Sequence, residues 1–139
     1  METKRPKGTL DIKAYMPYTR DAANSLEFYE KPDGGCPVRE YLRANSKAVR
    51  SKAGWLLQLL QEKGDQLERP PTDYLEDGIY ELRIIIEHTQ HRILYFFHKR
   101  IIVAAHTFQK KGRRVPKREI DKAKRARGNW RKQEQEKNV

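Results

Sequence analysis

The chain has 139 residues and carries 30 Lys and Arg against 19 Asp and Glu, a formal net charge of +11. That length supports one domain with a real core and excludes two. A lone cysteine, Cys36, excludes an internal disulfide and suits a reducing cytosol, and no apolar run approaches a membrane span or a signal-peptide core, so the expected location is cytoplasmic. The charge is local: between Phe108 and Lys132 twelve Lys and Arg face two acids, Glu119 and Asp121. Such a patch is either the footprint of a polyanion site or a solvated tail.

Residues 1–24 are polar and broken by Pro6, Gly8 and Pro17, which predicts an N-terminal extension, partly disordered at its start, with Tyr15, Met16 and Tyr18 as the side chains able to dock. A single domain is expected over 25–132, followed by a frayed tail over 133–139. Leu26 to Tyr29 alternates weakly before the breaker cluster Lys31-Pro32-Asp33-Gly34-Gly35, predicting a short strand at about 25–30 that joins a later sheet. Pro37 suits a helix's first turn, and Val38, Tyr41 and Leu42 carry that helix to about Ala44. Ser46 can cap a second helix, in which Val49, Ala53, Leu56, Leu57 and Leu60 make one apolar stripe, widened by Trp55 and Leu59 and stopped at Gly64. The two helices are expected to form a hairpin that buries its stripe on a sheet. Residues 67–77, with Pro70-Pro71 and no period, read as a connector anchored by Tyr74 and Leu75, and Asp77-Gly78 as a turn.

Three runs rich in Ile, Val, Tyr and Phe, at 79–87, 91–98 and 101–108, predict an antiparallel meander. Tyr80, Leu82, Ile84 and Ile86 share one face of the first, and Glu81, Arg83, Ile85 and Glu87 the other. With hairpin loops at Thr89-Gln90 and Lys99-Arg100, Arg92 lies across from Glu87 on one side and Thr107 on the other, and Arg83 lies across from Phe96. The two arginines then share a face but stand roughly 14 Å apart. A one-residue change in either loop would reverse that parity. Each arginine alone reads equally well as half of a salt bridge, Arg92 with Glu87 or Arg83 with Glu81. The pair beside Lys110-Lys111 reads as a site. Pro116 opens a last helix that docks through Ile120, Ala123, Arg127 and Trp130, shows Lys117, Arg118, Lys122, Lys124, Arg125 and Arg131 to solvent, and frays from Gln133.

The four histidines, His88, His91, His98 and His106, lack the spacing of a metal site, and there is no CxxC, HExxH, nucleophile motif or glycine-rich phosphate loop. No metal or cofactor is expected. What remains is cationic chemistry. RNA carries its own nucleophile, the 2′-OH, so its cleavage requires a proton acceptor, a cation for the crowded phosphorane and a donor for the leaving 5′-oxygen. Lys110-Lys111 beside Arg113 and Arg114 supplies charge, and such crowding lowers a lysine's pKa toward acid–base use.

The run Gly78-Ile79-Tyr80-Glu81-Leu82-Arg83, then His91-Arg92-Ile93-Leu94-Tyr95-Phe96-Phe97, then His106-Thr107-Phe108-Gln109-Lys110-Lys111, with Pro116, Glu119-Ile120 and Ala123 following, resembles the HigB-type, phage-derived branch of the RelE/ParE toxin superfamily. The resemblance covers roughly Leu26 to Arg127. It implies an α+β, RelE-like fold: an N-terminal helical hairpin packed on a twisted antiparallel sheet, plus a basic C-terminal helix. It further implies a type II toxin that cleaves mRNA on the translating ribosome and is silenced by a cognate helix-turn-helix antitoxin. Carried over by position, Arg83, Arg92 and Lys111 are the catalytic candidates, and Lys110, Arg113, Arg114 and Lys117 the RNA-binding ones. RelE has a catalytic tyrosine near the C-terminus, whereas residues 115–117 here hold none, so the base and acid stay open between groups such as His91 and His106. The superfamily's gyrase-poisoning ParE members, and a module that binds RNA or protein without cutting, are the alternatives.

Overall fold

The computed structural model describes residues 23–138, so the docking expected of Tyr15, Met16 and Tyr18 lies outside the described residues. Strands β1 (Ser25–Phe28), β2 (Thr72–Glu76), β3 (Ile79–Ile86), β4 (Thr89–His98) and β5 (Ile101–Lys110) form one sheet in the order β1-β5-β4-β3-β2. Helices α1 (Pro37–Ala44) and α2 (Lys47–Lys63) cover one face of it, and α3 (Lys117–Lys137) covers the other. Alternation along the strands feeds both cores. Leu82, Ile84, Ile93 and Tyr95 pack under α1 and α2, while Ile79, Leu94, Phe96 and Val103 pack under α3 with Ala123 and Trp130.

The helices form where the apolar spacing places them. Ser46 Oγ accepts a hydrogen bond from Val49 N at 3.3 Å, one of the donors a helix start leaves orphaned. Val49, Ala53, Leu56, Leu57 and Leu60 are buried, and Gly64 ends α2 at φ +57°. Trp55 is 53% exposed and does not widen the stripe. The third helix extends to Lys137, and the side-chain amide of Gln133 donates to Glu30 O at 3.0 Å and to Asn129 Oδ1 at 2.6 Å.

The sheet departs from expectation in four ways. It is mixed, because β1 runs parallel to β5, from Ser25 opposite Ile101 to Phe28 opposite Ala104. The chain enters at that edge and reaches the far edge only after α1 and α2, a crossover that strand alternation does not encode. Second, the presumed connector contains β2, an edge strand that starts just after Pro70-Pro71, where prolines cost no ladder bond. It joins β3 through Asp77-Gly78, both at positive φ (+48° and +77°), as a tight hairpin turn requires. Tyr74 is 53% exposed, so of the two expected anchors only Leu75 packs on the core.

Third, the β3–β4 turn is Glu87-His88, two residues earlier than expected, and Arg83 stands directly opposite Arg92. The shift is even, so the two arginines keep a common face but lose their separation. Fourth, the Lys99-Arg100 turn is where expected, yet a bulge at Ala105 lies between the Tyr95–Ala104 and Leu94–His106 pairs. One inserted residue reverses the parity of the rest of β5. Arg92 therefore faces Phe108, not Thr107, and His106, Phe108 and Lys110 turn to the α3 side.

Candidate nucleic-acid interface

The corrected register gathers charge on the α3 side of the sheet. Glu81 and Arg83, two apart on β3, share that side. Arg92 is opposite Arg83 on β4, Asp73 is opposite Glu81 on β2, and Lys110 is opposite Gln90 on β5. Together with Arg69, Tyr74, Arg113 and Arg114 they line an open cleft of about 350 Å³. Six cations face two carboxylates there.

The carboxylates organise the floor. Glu81 Oε1 accepts from Arg92 Nε at 2.6 Å and from Arg83 Nε at 3.4 Å. Arg92 also donates to His91 O at 3.1 Å and Gln90 Oε1 at 3.0 Å, and the residue is 4% exposed. Arg83 donates to Asp73 Oδ2 at 3.1 Å and to Pro70 O at 3.3 Å, and its side chain is 23% exposed. Arg69 reaches the same Asp73 oxygen at 2.6 Å. Two guanidiniums directly across a strand pair repel, and Glu81 between them offsets that repulsion. Burial lowers the pKa of Arg92 from its ordinary value, with Glu81 opposing the shift. The hydrogen bond from Arg69 leads the effects that hold the Asp73 carboxyl below its ordinary value.

Arg92 is thus the buried half of an ion pair beneath the cleft, and Arg83 a half-screened cation at its floor. The exposed charge comes from the segment leaving β5. Arg113 and Arg114 are exposed and, among the described residues, have no carboxylate partner; Lys110 Nζ donates to Gly112 O. The expected catalytic candidate Lys111 is exposed but does not line the cleft, because the Ala105 bulge turns Lys110 inward in its place. Lys117 lies outside the lining too: its Nζ is 2.6 Å from Glu76 and 3.4 Å from Asp121. Lys117 and Lys124 together pull the Glu76 carboxyl down to about 2 and tie β2 to α3.

His91 faces away from Arg92, as expected, with Nδ1 2.6 Å from Tyr41 Oη and Nε2 3.1 Å from Thr89 Oγ1. His106 is on the α3 side but outside the cleft. The reading from sequence missed Arg69, Asp73, Tyr74 and the bridging role of Glu81. The alternation Thr72, Tyr74, Glu76 was the available signal for β2, and the adjacent prolines masked it.

Among the described residues there is no group of three or more His, Cys, Asp or Glu placed to hold a metal ion, and no helix long and apolar enough to cross a membrane. The sequence matches the family described as phage-derived protein Gp49-like (DUF891) over residues 40–127, from within α1 to the middle of α3. No curated protein gives a significant match.

Proposed function

Given that the chain belongs to the Gp49-like family of phage-derived proteins, we propose that it is the toxin of a type II toxin–antitoxin pair and that it binds and cleaves mRNA on the translating ribosome. The observation that carries this reading is the convergence of six cations from four separate stretches of chain on one cleft. A ribose-phosphate strand laid along it meets Lys110, Arg113 and Arg114 first. These charges have no competing carboxylate to displace among the described residues, so each phosphate contact releases counterions at little cost. Arg83, fixed at the floor by Asp73 and Glu81, supplies a preorganised charge, and Arg92 holds Glu81 in place.

Cleavage by this class of chemistry uses the RNA's own 2′-oxygen as nucleophile and the 5′-oxygen as leaving group, with no covalent enzyme intermediate. The cleft provides grip and charge. Its carboxylates are both engaged by arginines, which fits them to hold the floor and not to accept a proton. A cognate antitoxin, on this reading a helix-turn-helix protein, silences the toxin by covering the same basic surface, which calls for an acidic segment on the partner.

A second reading, an RNA-binding module without nuclease activity, draws on the ion-paired state of Arg83 and Arg92. Expression of the wild type beside a Lys110→Ala/Arg113→Ala/Arg114→Ala variant separates the two. Growth arrest with internal breaks in transcripts, absent from the triple variant, supports the nuclease. Normal growth and intact transcripts with the wild type sink it.

A further inference from the structure

A second pocket, of about 730 Å³, lies outside the cleft, bounded by the β1–α1 loop, β5 and the flank of α3 that carries Lys122 and Arg125. Its floor is apolar, with Pro37, Ala105 and Ala126, and its rim carries Lys31, Lys122 and Arg125. His106 opens into it. The Ala105 bulge turns this histidine toward α3, where Nε2 lies 2.9 Å from Glu119 Oε1, and the ring stacks on Phe108 with centroids 5.9 Å apart. The Glu119 side chain is 11% exposed. A carboxylate there accepts from Nε2–H, which fixes the tautomer and leaves the lone pair on Nδ1. Nδ1 makes no hydrogen bond among the described residues, and it is not among their sealed, unpartnered polar atoms, so solvent reaches it.

The other histidines lack this arrangement. His91 has both nitrogens engaged, His98 packs against Trp130, and His88 sits in the exposed β3–β4 turn.

We propose that His106 accepts the 2′-OH proton in RNA cleavage, that Glu119 positions it, and that this pocket seats the ribose and base of the nucleotide whose 2′-oxygen attacks. The proposal rests on the nuclease reading above and supplies the proton acceptor the cleft lacks. In the step, Nδ1 takes the 2′ proton, the 2′-oxygen–phosphorus bond forms, and the phosphorus–5′-oxygen bond breaks. Water protonates the departing 5′-oxygen, and the imidazolium returns its proton to solvent. The products are a 2′,3′-cyclic phosphate and a 5′-hydroxyl. Lys31, Lys122 and Arg125 face the phosphate that becomes crowded. Lys110 is four strand positions from His106, roughly 14 Å, so the cleft holds neighbouring phosphates of the same strand.

The groups facing His106 are Glu119, Lys122 and Arg125 from α3, Lys31 and Asp33 from the loop, and the Tyr29 hydroxyl, itself bonded to Asn129. Burial, ahead of the opposing hydrogen bond from Glu119, moves the imidazole pKa below its ordinary value, and Lys122 and Arg125 add to that. The ring is therefore in its base form at neutral pH.

The test uses the full chain with ribosome-bound message and with free single-stranded RNA, reading cleavage rate against pH, RNA affinity and thermal unfolding for the wild type, His106→Gln and Glu119→Gln. His106→Gln is expected to lose about 100-fold or more in rate while RNA affinity changes less than about twofold. Glu119→Gln is expected to move the acid limb of the pH profile to lower pH, because the carboxylate no longer stabilises the imidazolium. A purely structural Glu119 would leave that limb in place. Cleavage by His106→Gln at the wild-type rate, or an acid limb unmoved in Glu119→Gln, overturns the proposal and leaves the nuclease reading standing. A wild type that cuts neither RNA overturns both.

Discussion

The buried Arg92–Glu81 pair gives the sharpest stability prediction. Both side chains are 5% exposed, and the contact is 2.6 Å. Replacing Arg92 by Met leaves Glu81 with only the 3.4 Å contact to Arg83, a partly compensated buried charge, and is expected to cost about 3 kcal/mol. Replacing Glu81 by Leu leaves two guanidiniums opposite each other with no acid between them, and is expected to cost about 5 kcal/mol. The double variant removes both buried charges and sets apolar groups beside Leu94 and Phe96, so its cost is expected to be far below the sum, with a coupling of about 3 kcal/mol. Urea unfolding followed by circular dichroism and by the fluorescence of buried Trp130 measures each corner of the cycle. The single variants are expected to melt roughly 10–15 °C or more below the wild type. An Arg92→Met protein as stable as the wild type, or costs that simply add, would show that Arg92 and Glu81 are not coupled as a buried ion pair. The result also governs interpretation: loss of toxicity at Arg92 with loss of fold says nothing of a phosphate contact.

Other outcomes follow from the same geometry. Lys110→Ala is expected to shallow the log–log salt dependence of single-strand RNA binding by about 0.7, whereas Lys111→Ala changes it less; equal slopes for the two would mean that the β5 bulge does not set which lysine meets RNA. The Glu76 carboxyl titrates at about 2, below its ordinary 4.5, so its hydrogen bonds from Lys117 and Lys124 contribute stability above about 4.5 that is lost as pH falls toward about 2. Glu76→Gln should therefore melt below the wild type at neutral pH, with the gap closing over that acid window; a gap independent of pH contradicts the assignment. Ser46→Ala removes the cap of α2 and is expected to cost about 1 kcal/mol in urea unfolding, and no change would show that the Val49 N–H finds water at no loss.

What the amino-acid pattern carried was local. The α2 stripe, its Ser46 cap and Gly64 stop, and the alternation of β3 and β4 are each written in neighbouring residues, and each appears in the fold. The pairing was less legible. Thr89 and Gln90 extend the β3–β4 ladder where turn-like polarity had suggested a loop, and the real turn puts Glu87 at positive φ without glycine. The bulge at Ala105 adds one residue inside an unbroken apolar run, so nothing in the alternation marks it, yet it decides that Lys110 and His106, not Lys111 and Thr107, face α3. The Arg83–Arg92 pair shows the same limit: type and common face were readable, but contact through Glu81 depends on where the hairpin turns. β2 was hidden by Pro70-Pro71, and with it the carboxylate of Asp73 and the phenol of Tyr74.

Whether this chain, as proposed, grips RNA on its basic cleft and cuts it is decided by combining the purified full chain with ribosomes translating a defined message and mapping the ends of every fragment. Internal breaks bearing a 5′-hydroxyl and a 2′,3′-cyclic phosphate are expected, abolished in a folded Lys110→Ala/Arg113→Ala/Arg114→Ala protein. A full-length message after incubation with the wild type, or equal cutting by the triple variant, overturns the proposed function.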